Sequence, residues 1–142
     1  MIHHALPANP KTNTGGWPRW RTLLPHIDAY LTHTHPDTDT TETHVILHTA
    51  GRFLHGQGQL SQAIQYAHRS AITSARLNGE DDSDTLSFSN NLASAYESAG
   101  DLGRAIPLYE QTLTDTIRVL GEDHPTTRVV RDNLHGARSD PG

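Results

Sequence analysis

The chain is 142 residues long and carries 11 Lys and Arg against 16 Asp and Glu, a formal charge of −5, so it lacks the basic excess of a non-specific nucleic-acid binder. It has no Cys, which excludes a disulfide framework and a thiolate zinc site and leaves the redox compartment unread. No apolar run approaches the ~20 residues of a membrane helix, and MIHHALPANPKTNTGG has no apolar signal core; the expectation is one cytoplasmic domain with a modest core.

Residues 1–16, rich in Pro, Asn, Thr and Gly, read as disordered or extended. The pattern changes at Trp17. Pro18 stands near a helix start, and Trp20, Leu23, Leu24, Ile27, Tyr30 and Leu31 recur at helical spacing, which predicts a helix over 18–33 with Pro25 as a place for a kink. Within a segment 17–35 this helix reads as a cap that seals the repeats behind it. The alternative is a partner-docking helix led by the two Trp residues.

Residues 33–41 form a polar linker in which Asp37 or Thr38 can cap the next helix. Helices are expected over 42–55 and 60–77, parted by Gly56-Gln57-Gly58, followed by a loop at 78–83 with Ser83 or Asp84 as cap. From 83 to 123 two amphipathic helices meet at Ala99-Gly100-Asp101. The first carries Leu86, Leu92, Ala93 and Tyr96; the second carries Leu102, Ala105, Ile106, Tyr109, Leu113, Ile117 and Leu120. Gly100 suits the left-handed residue that ends a helix, while Pro107, one turn into the second helix, removes a ladder bond or two. A final helix is expected over 126–138, with 139–142 as a tail.

These elements repeat. Gly79 and Gly121, Thr85 and Thr127, Leu92 and Leu134 each stand 42 apart, and a further step of 42 upstream aligns Gly58 with Gly100, Leu60 with Leu102 and Ala63 with Ala105. Repeat one occupies 38–78, repeat two 80–120, and the closing helix 125–138 is half a unit. N-N-L-A-x-A-Y-x-x-A-G-D-L-x-x-A-I-x-L-Y-E-Q-x-L followed by R-V-L-G-E-D-H-P resembles tetratricopeptide repeats of the kinesin-light-chain type, whose unit is near 42 residues rather than 34. The matching positions are Leu92, Ala93, Tyr96, Gly100, Ala105, Tyr109 and Leu113. Repeat one offers Ala50, Gly51, Leu54, Gly58, Ala63, Ala67 and Ala71, a set with less bulk. The resemblance implies an all-α fold, a right-handed α–α superhelix (TPR solenoid) of about six helices. W-P-R-W-R-x-L-L-P-H is also similar to the segment before the repeats in actinobacterial NB-ARC signalling proteins. Their P-loop motif has no counterpart here.

Enzyme chemistry finds little support. His44 and His48, four apart on one helix face, have a spacing that can hold zinc, but the Glu of a metalloprotease helix is missing and His55 lies nearly two turns on. Surface or groove histidines are the plainer reading. Glu80, Asp81, Asp82, Asp84, Glu122 and Asp123 sit in equivalent loops, lack the alternating oxygens of an EF-hand, and read as solvated turns with helix caps. No Ser has a G-x-S-x-G setting. No enzyme, cofactor or metal is expected.

What the resemblance implies instead is a protein-interaction module whose concave face binds a peptide or partner domain. Groove positions of the family carry over to His48, Thr49 and Arg52 in repeat one, Asn90, Asn91, Ser94 and Glu97 in repeat two, and Asn133 in the last helix. Asn offers both a donor and an acceptor to a peptide bond and is mildly unfavourable inside a helix. A chaperone tail is not the expected ligand, because the Lys-Asn-Lys-Arg clamp pattern is absent. The alternative is a structural or regulatory remnant of a larger NB-ARC-type ATPase. Fewer than three full repeats are present, so self-association as a homodimer stays open.

Overall fold

The computed structural model describes residues 17–139. The expectations for residues 1–16, for the side chains of the Trp pair, and for most of the tail lie outside the described residues. The elements are α1 (Trp17–His33), a 3₁₀ turn (Pro36–Thr38), α2 (Thr41–Gly56), α3 (Leu60–Asn78), α4 (Ser83–Ser98), α5 (Leu102–Leu120) and α6 (Pro125–Ser139). No strand occurs among the described residues. They form two compact units, the first ending at Thr73 and the second beginning at Ser74, within α3.

Helix ends follow from local chemistry. Thr40 caps α2 by accepting from the Thr43 amide at 3.2 Å, Asp82 caps α4 through the Asp84 amide at 2.9 Å, and Asp101 caps α5 through the Arg104 amide at 3.3 Å. The first two correct the expected caps. Pro36 opens a 3₁₀ turn that absorbs Asp37 and Thr38, so the cap falls to Thr40, directly before the helix. Asp82, one residue before Ser83, already has its carboxylate in place. The four glycines with positive φ are Gly58 (76°), Gly79 (96°), Gly100 (80°) and Gly121 (95°). They stand 21 residues apart throughout, one after each of the helices α2 to α5. Pro107 leaves α5 continuous from 102 to 120.

In the first unit, Ile27, Leu47, Ala50, Phe53, Leu54, Ala63 and Tyr66 form the core, with Leu24, Leu31 and Ile46 against it. A Cβ at Gly51 would lie 3.3 Å from Tyr66 Cβ, so the missing side chain lets α2 and α3 approach closely. In the second unit, Ala93 of α4, Ala105 and Tyr109 of α5, and Val130, Leu134 and Ala137 of α6 form the core, with Tyr96, Leu102, Ile106, Leu108 and Leu113 packed on it. Arg118 ties the end of α5 to Asp81 in the preceding loop at 2.7 and 3.2 Å. The pair is exposed, so it sets loop geometry more than stability.

Helix α3 buries a second stripe that the sequence reading missed. Gln62, Tyr66, Arg69 and Thr73 lie at helical spacing and reach α1 and the linker. Tyr66 and Gln62 both donate to the Asp28 carboxylate of α1, the latter at 3.0 Å. Burial and that carboxylate push the Tyr66 hydroxyl pKa upward. Arg69 uses all five of its N–H donors: two on Asp39 at 2.7 Å, two on the carbonyls of Leu31 (3.1 Å) and Thr34 (3.2 Å), and one on the Thr34 hydroxyl at 2.8 Å. Its guanidinium also lies 5.3 Å from the Tyr30 ring centroid. Asp39 accepts two further bonds, from the hydroxyls of Tyr30 and Thr73, both at 2.9 Å. The two side chains are 8% and 0% exposed. Burial alone would raise the Asp39 pKa, but the bonds from Arg69, Thr73 and Tyr30 outweigh it and hold the carboxyl below its ordinary value.

Candidate functional site

The residues expected to line a groove fall on the first helix of each repeat, here termed the A helix: α2 in the first unit, α4 and α6 in the second. In the first unit, α2 carries His48, Thr49 and Arg52. Arg52 is exposed and His48 is partly buried. The Thr49 hydroxyl donates to the Val45 carbonyl at 2.8 Å, which occupies its proton and leaves its oxygen as an acceptor. Burial first, then Arg52, then His44 lower the His48 pKa to about 4, so the ring is neutral at neutral pH. Among the described residues, no group of three or more His, Asp or Glu side chains could hold a metal.

Because the folded protein resists protonating His48 while the unfolded chain takes the proton near pH 6.5, the associated stability is full above pH 6.5. It is lost as pH falls toward 4. His48→Gln should remove about 1–2 kcal/mol of that acid sensitivity, a figure discounted for the ring's partial exposure. Urea unfolding at pH 7 and at pH 4.5 measures it. An unchanged pH slope in the variant would assign the sensitivity to other groups.

In the second unit, Asn90, Ser94 and Glu97 follow one another along α4 at helical spacing. Asn90 is 8% exposed and accepts from Asn133 Nδ2 of α6 at 3.1 Å. This single bond joins the two A helices through side chains and leaves unused the amide hydrogens of Asn90 and the carbonyl oxygen of Asn133. The Asn90 nitrogen is not among the sealed, unpartnered polar atoms, so it remains open to solvent. Glu97 accepts from the Tyr109 hydroxyl at 2.8 Å; burial and Glu97 together push that tyrosine's pKa upward. Asn91 points to solvent. The repeat aligns Asn91 with Asn133, yet the residue that meets Asn133 is Asn90, because neighbours across two helices need not be equivalents along them.

The geometry is that of a helical hairpin repeated at a fixed interval, and the tetratricopeptide repeat family matches residues 42–116, more than half of the chain. The chain belongs to the tetratricopeptide repeat family. Among solved structures, the crystal structure of BtubC (BKLC) from P. vanneervenii is similar, with a TM-score of 0.63 and 19% identity over 86% of this chain and 50% of that one. At that identity the likeness shows the fold, which is the all-α tetratricopeptide repeat fold expected from the sequence. The chain spans about half the length of that protein. No curated protein matches it. Tetratricopeptide repeats generally mediate protein–protein interaction and serve as non-enzymatic scaffolds. Among the described residues, no helix is long and apolar enough to cross a membrane.

Proposed function

We propose that this tetratricopeptide repeat chain binds an extended segment of a partner protein on the A-helix face of its second unit. The 42-residue unit of kinesin-light-chain type is part of this reading. The observation that carries it is the Asn90–Asn133 pair. The bond between them fixes both side chains at 3.1 Å, and what is left over is one amide donor group and one carbonyl acceptor. A peptide unit presents the complementary C=O and N–H. Two Asn side chains inside helices work against helix propensity, and a ligand supplies a reason for both. Ser94 and Asn91 extend the polar surface along α4, and Glu97, held by Tyr109, adds a carboxylate. In the first unit, His48, Thr49 and Arg52 offer a separate set with a neutral ring and one cation.

The test is selection of peptides from a random display library on the purified protein, followed by affinity measurement. Asn133→Ala should weaken a selected peptide about tenfold, equivalent to ~1.4 kcal/mol, while changing the melting temperature little. Retained affinity together with a lowered melting temperature would make the pair a purely structural tie and overturn the proposal. Light scattering across concentration checks the competing role of the face: a stable dimer whose formation is broken by Asn133→Ala would mean that a second copy takes the place of the peptide.

A further inference from the structure

The 42-residue register also shows where α6 departs from its equivalent. Thr127, Leu134 and Ala137 stand 42 residues after Thr85, Leu92 and Ala95, and all six are buried, so the two helices share a register. On the adjoining face they differ. Ala93 is fully buried, and Tyr96 packs with it against Ala105 and Tyr109 of α5; the positions 42 later are His135 and Arg138, both exposed. Ser89 likewise becomes Arg131. With Arg128 these residues run 128, 131, 135, 138 along α6, one continuous line on a helix surface. Where α4 meets α5 through Ala93 and Tyr96, α6 therefore carries the polar His135 and Arg138, and Arg131 and Arg128 continue the line.

The charge is out of keeping with the rest of the chain. Helix α6 holds three arginines and one acid, Asp132, for a formal +2, where the whole chain carries −5. Arg138 pairs with Glu110 of α5 at 2.6 Å. Arg128 and Arg131 have no ion-pair partner among the described residues. A helix face kept polar for solubility alone can carry residues of either sign. One sign, aligned at helical spacing on the seat of a helix, is more specific than that.

We propose that this face of α6 docks an acidic helical segment of a partner protein, centred on Arg128 and Arg131, the two arginines of α6 without an ion-pair partner among the described residues, with His135 beside them. A second copy of this chain is a poor fit for the seat. Helix α3 has no acidic residue, and the carboxylates of α4 and α5 are single or already paired: Glu97 with Tyr109, Glu110 with Arg138, Asp115 with Arg118. No described helix shows acids at a spacing of three or four along one free face.

The probe is a synthetic helical peptide with glutamates along one face, compared by fluorescence anisotropy with the same peptide carrying glutamines. The expected result is at least about tenfold tighter binding of the glutamate form at low salt, weakening as salt screens the charges. Arg128→Glu with Arg131→Glu should abolish the difference. Both residues are exposed, so the variant should keep the circular dichroism and melting temperature of the parent. Asn133→Ala should leave this binding unchanged, which separates it from the peptide site proposed above. Equal affinity for the two peptides, or indifference to the charge reversal, overturns the proposal. So does equally tight binding of a short DNA duplex, which would make the stripe a general anion surface.

Discussion

Arg69→Met is expected to destabilise the protein by about 3–5 kcal/mol, the range for removing one partner of a buried ion pair. Methionine fills much of the same volume, so the loss comes from what is left behind. Asp39 would lose its two bonds of 2.7 Å and keep the bonds from the hydroxyls of Tyr30 and Thr73, with its side chain fully buried. The carbonyls of Leu31 and Thr34 and the Thr34 hydroxyl would each lose a donor as well. Urea unfolding at pH 7 gives the size of the effect. Hydrogen exchange at amides 34 to 39 gives its location, since the linker is the element that Arg69 fastens. Arg69→Met combined with Asp39→Leu should recover part of the loss, because an apolar pair leaves no buried charge. A single variant that loses less than about 1 kcal/mol would mean that the pair is solvated rather than sealed. Acid does not mimic the substitution at moderate pH. The Asp39 carboxyl is held below its ordinary value, so its contribution is present above that value and lost only as pH falls through the lowered one. This lies below the window in which His48 acts.

The second large effect is expected at Tyr109. Its ring is fully buried in the core of the second unit, among residues of α4, α5 and α6. Tyr109→Ala should cost about 3–5 kcal/mol through lost burial and the cavity it leaves. Tyr109→Phe keeps the ring and removes the hydroxyl's interactions with Glu97 and Ser94, so its expected loss is about 1 kcal/mol. The two variants divide the residue's role into packing and polarity. They also bear on the proposed peptide site, because the phenylalanine variant releases Glu97 from Tyr109 without emptying the core. If both variants lose equal stability, the hydroxyl bond rather than the ring holds the three helices together.

The helices and their repeat were legible because burial at a 3.6-residue period leaves its mark in any single sequence. The 42-residue interval then placed Gly58, Gly79, Gly100 and Gly121 without reference to coordinates. The N-caps were less legible. Any Asp, Ser or Thr in a polar linker can cap, and the choice of Thr40 depends on the turn that Pro36 begins. The Asp39–Arg69 pair was not read at all. A lone Asp in a linker looks solvated, and a lone Arg on a helix looks exposed. The available signal was the second stripe on α3, where Gln62, Tyr66, Arg69 and Thr73 follow one another at helical spacing beside the apolar one. Of the residues of the proposed site, Asn133 and Glu97 lie on helices that the sequence predicts, α6 and α4. The sequence could not show that Glu97 is engaged by Tyr109 or that Asn133 meets Asn90, since both are contacts between helices.

The left-handed glycines, 21 residues apart, bear on how a chain of this kind can change in length. A single residue inserted within α5 would turn everything after it on that helix by about 100°, carrying Thr112 and Thr116 off the buried face and displacing Arg118 from Asp81. Small insertions are therefore confined to the turns at these four glycines, where a Cβ would meet nothing. Larger growth has to come as whole helix-and-turn modules, in the way a text in fixed metre is lengthened by lines and not by syllables.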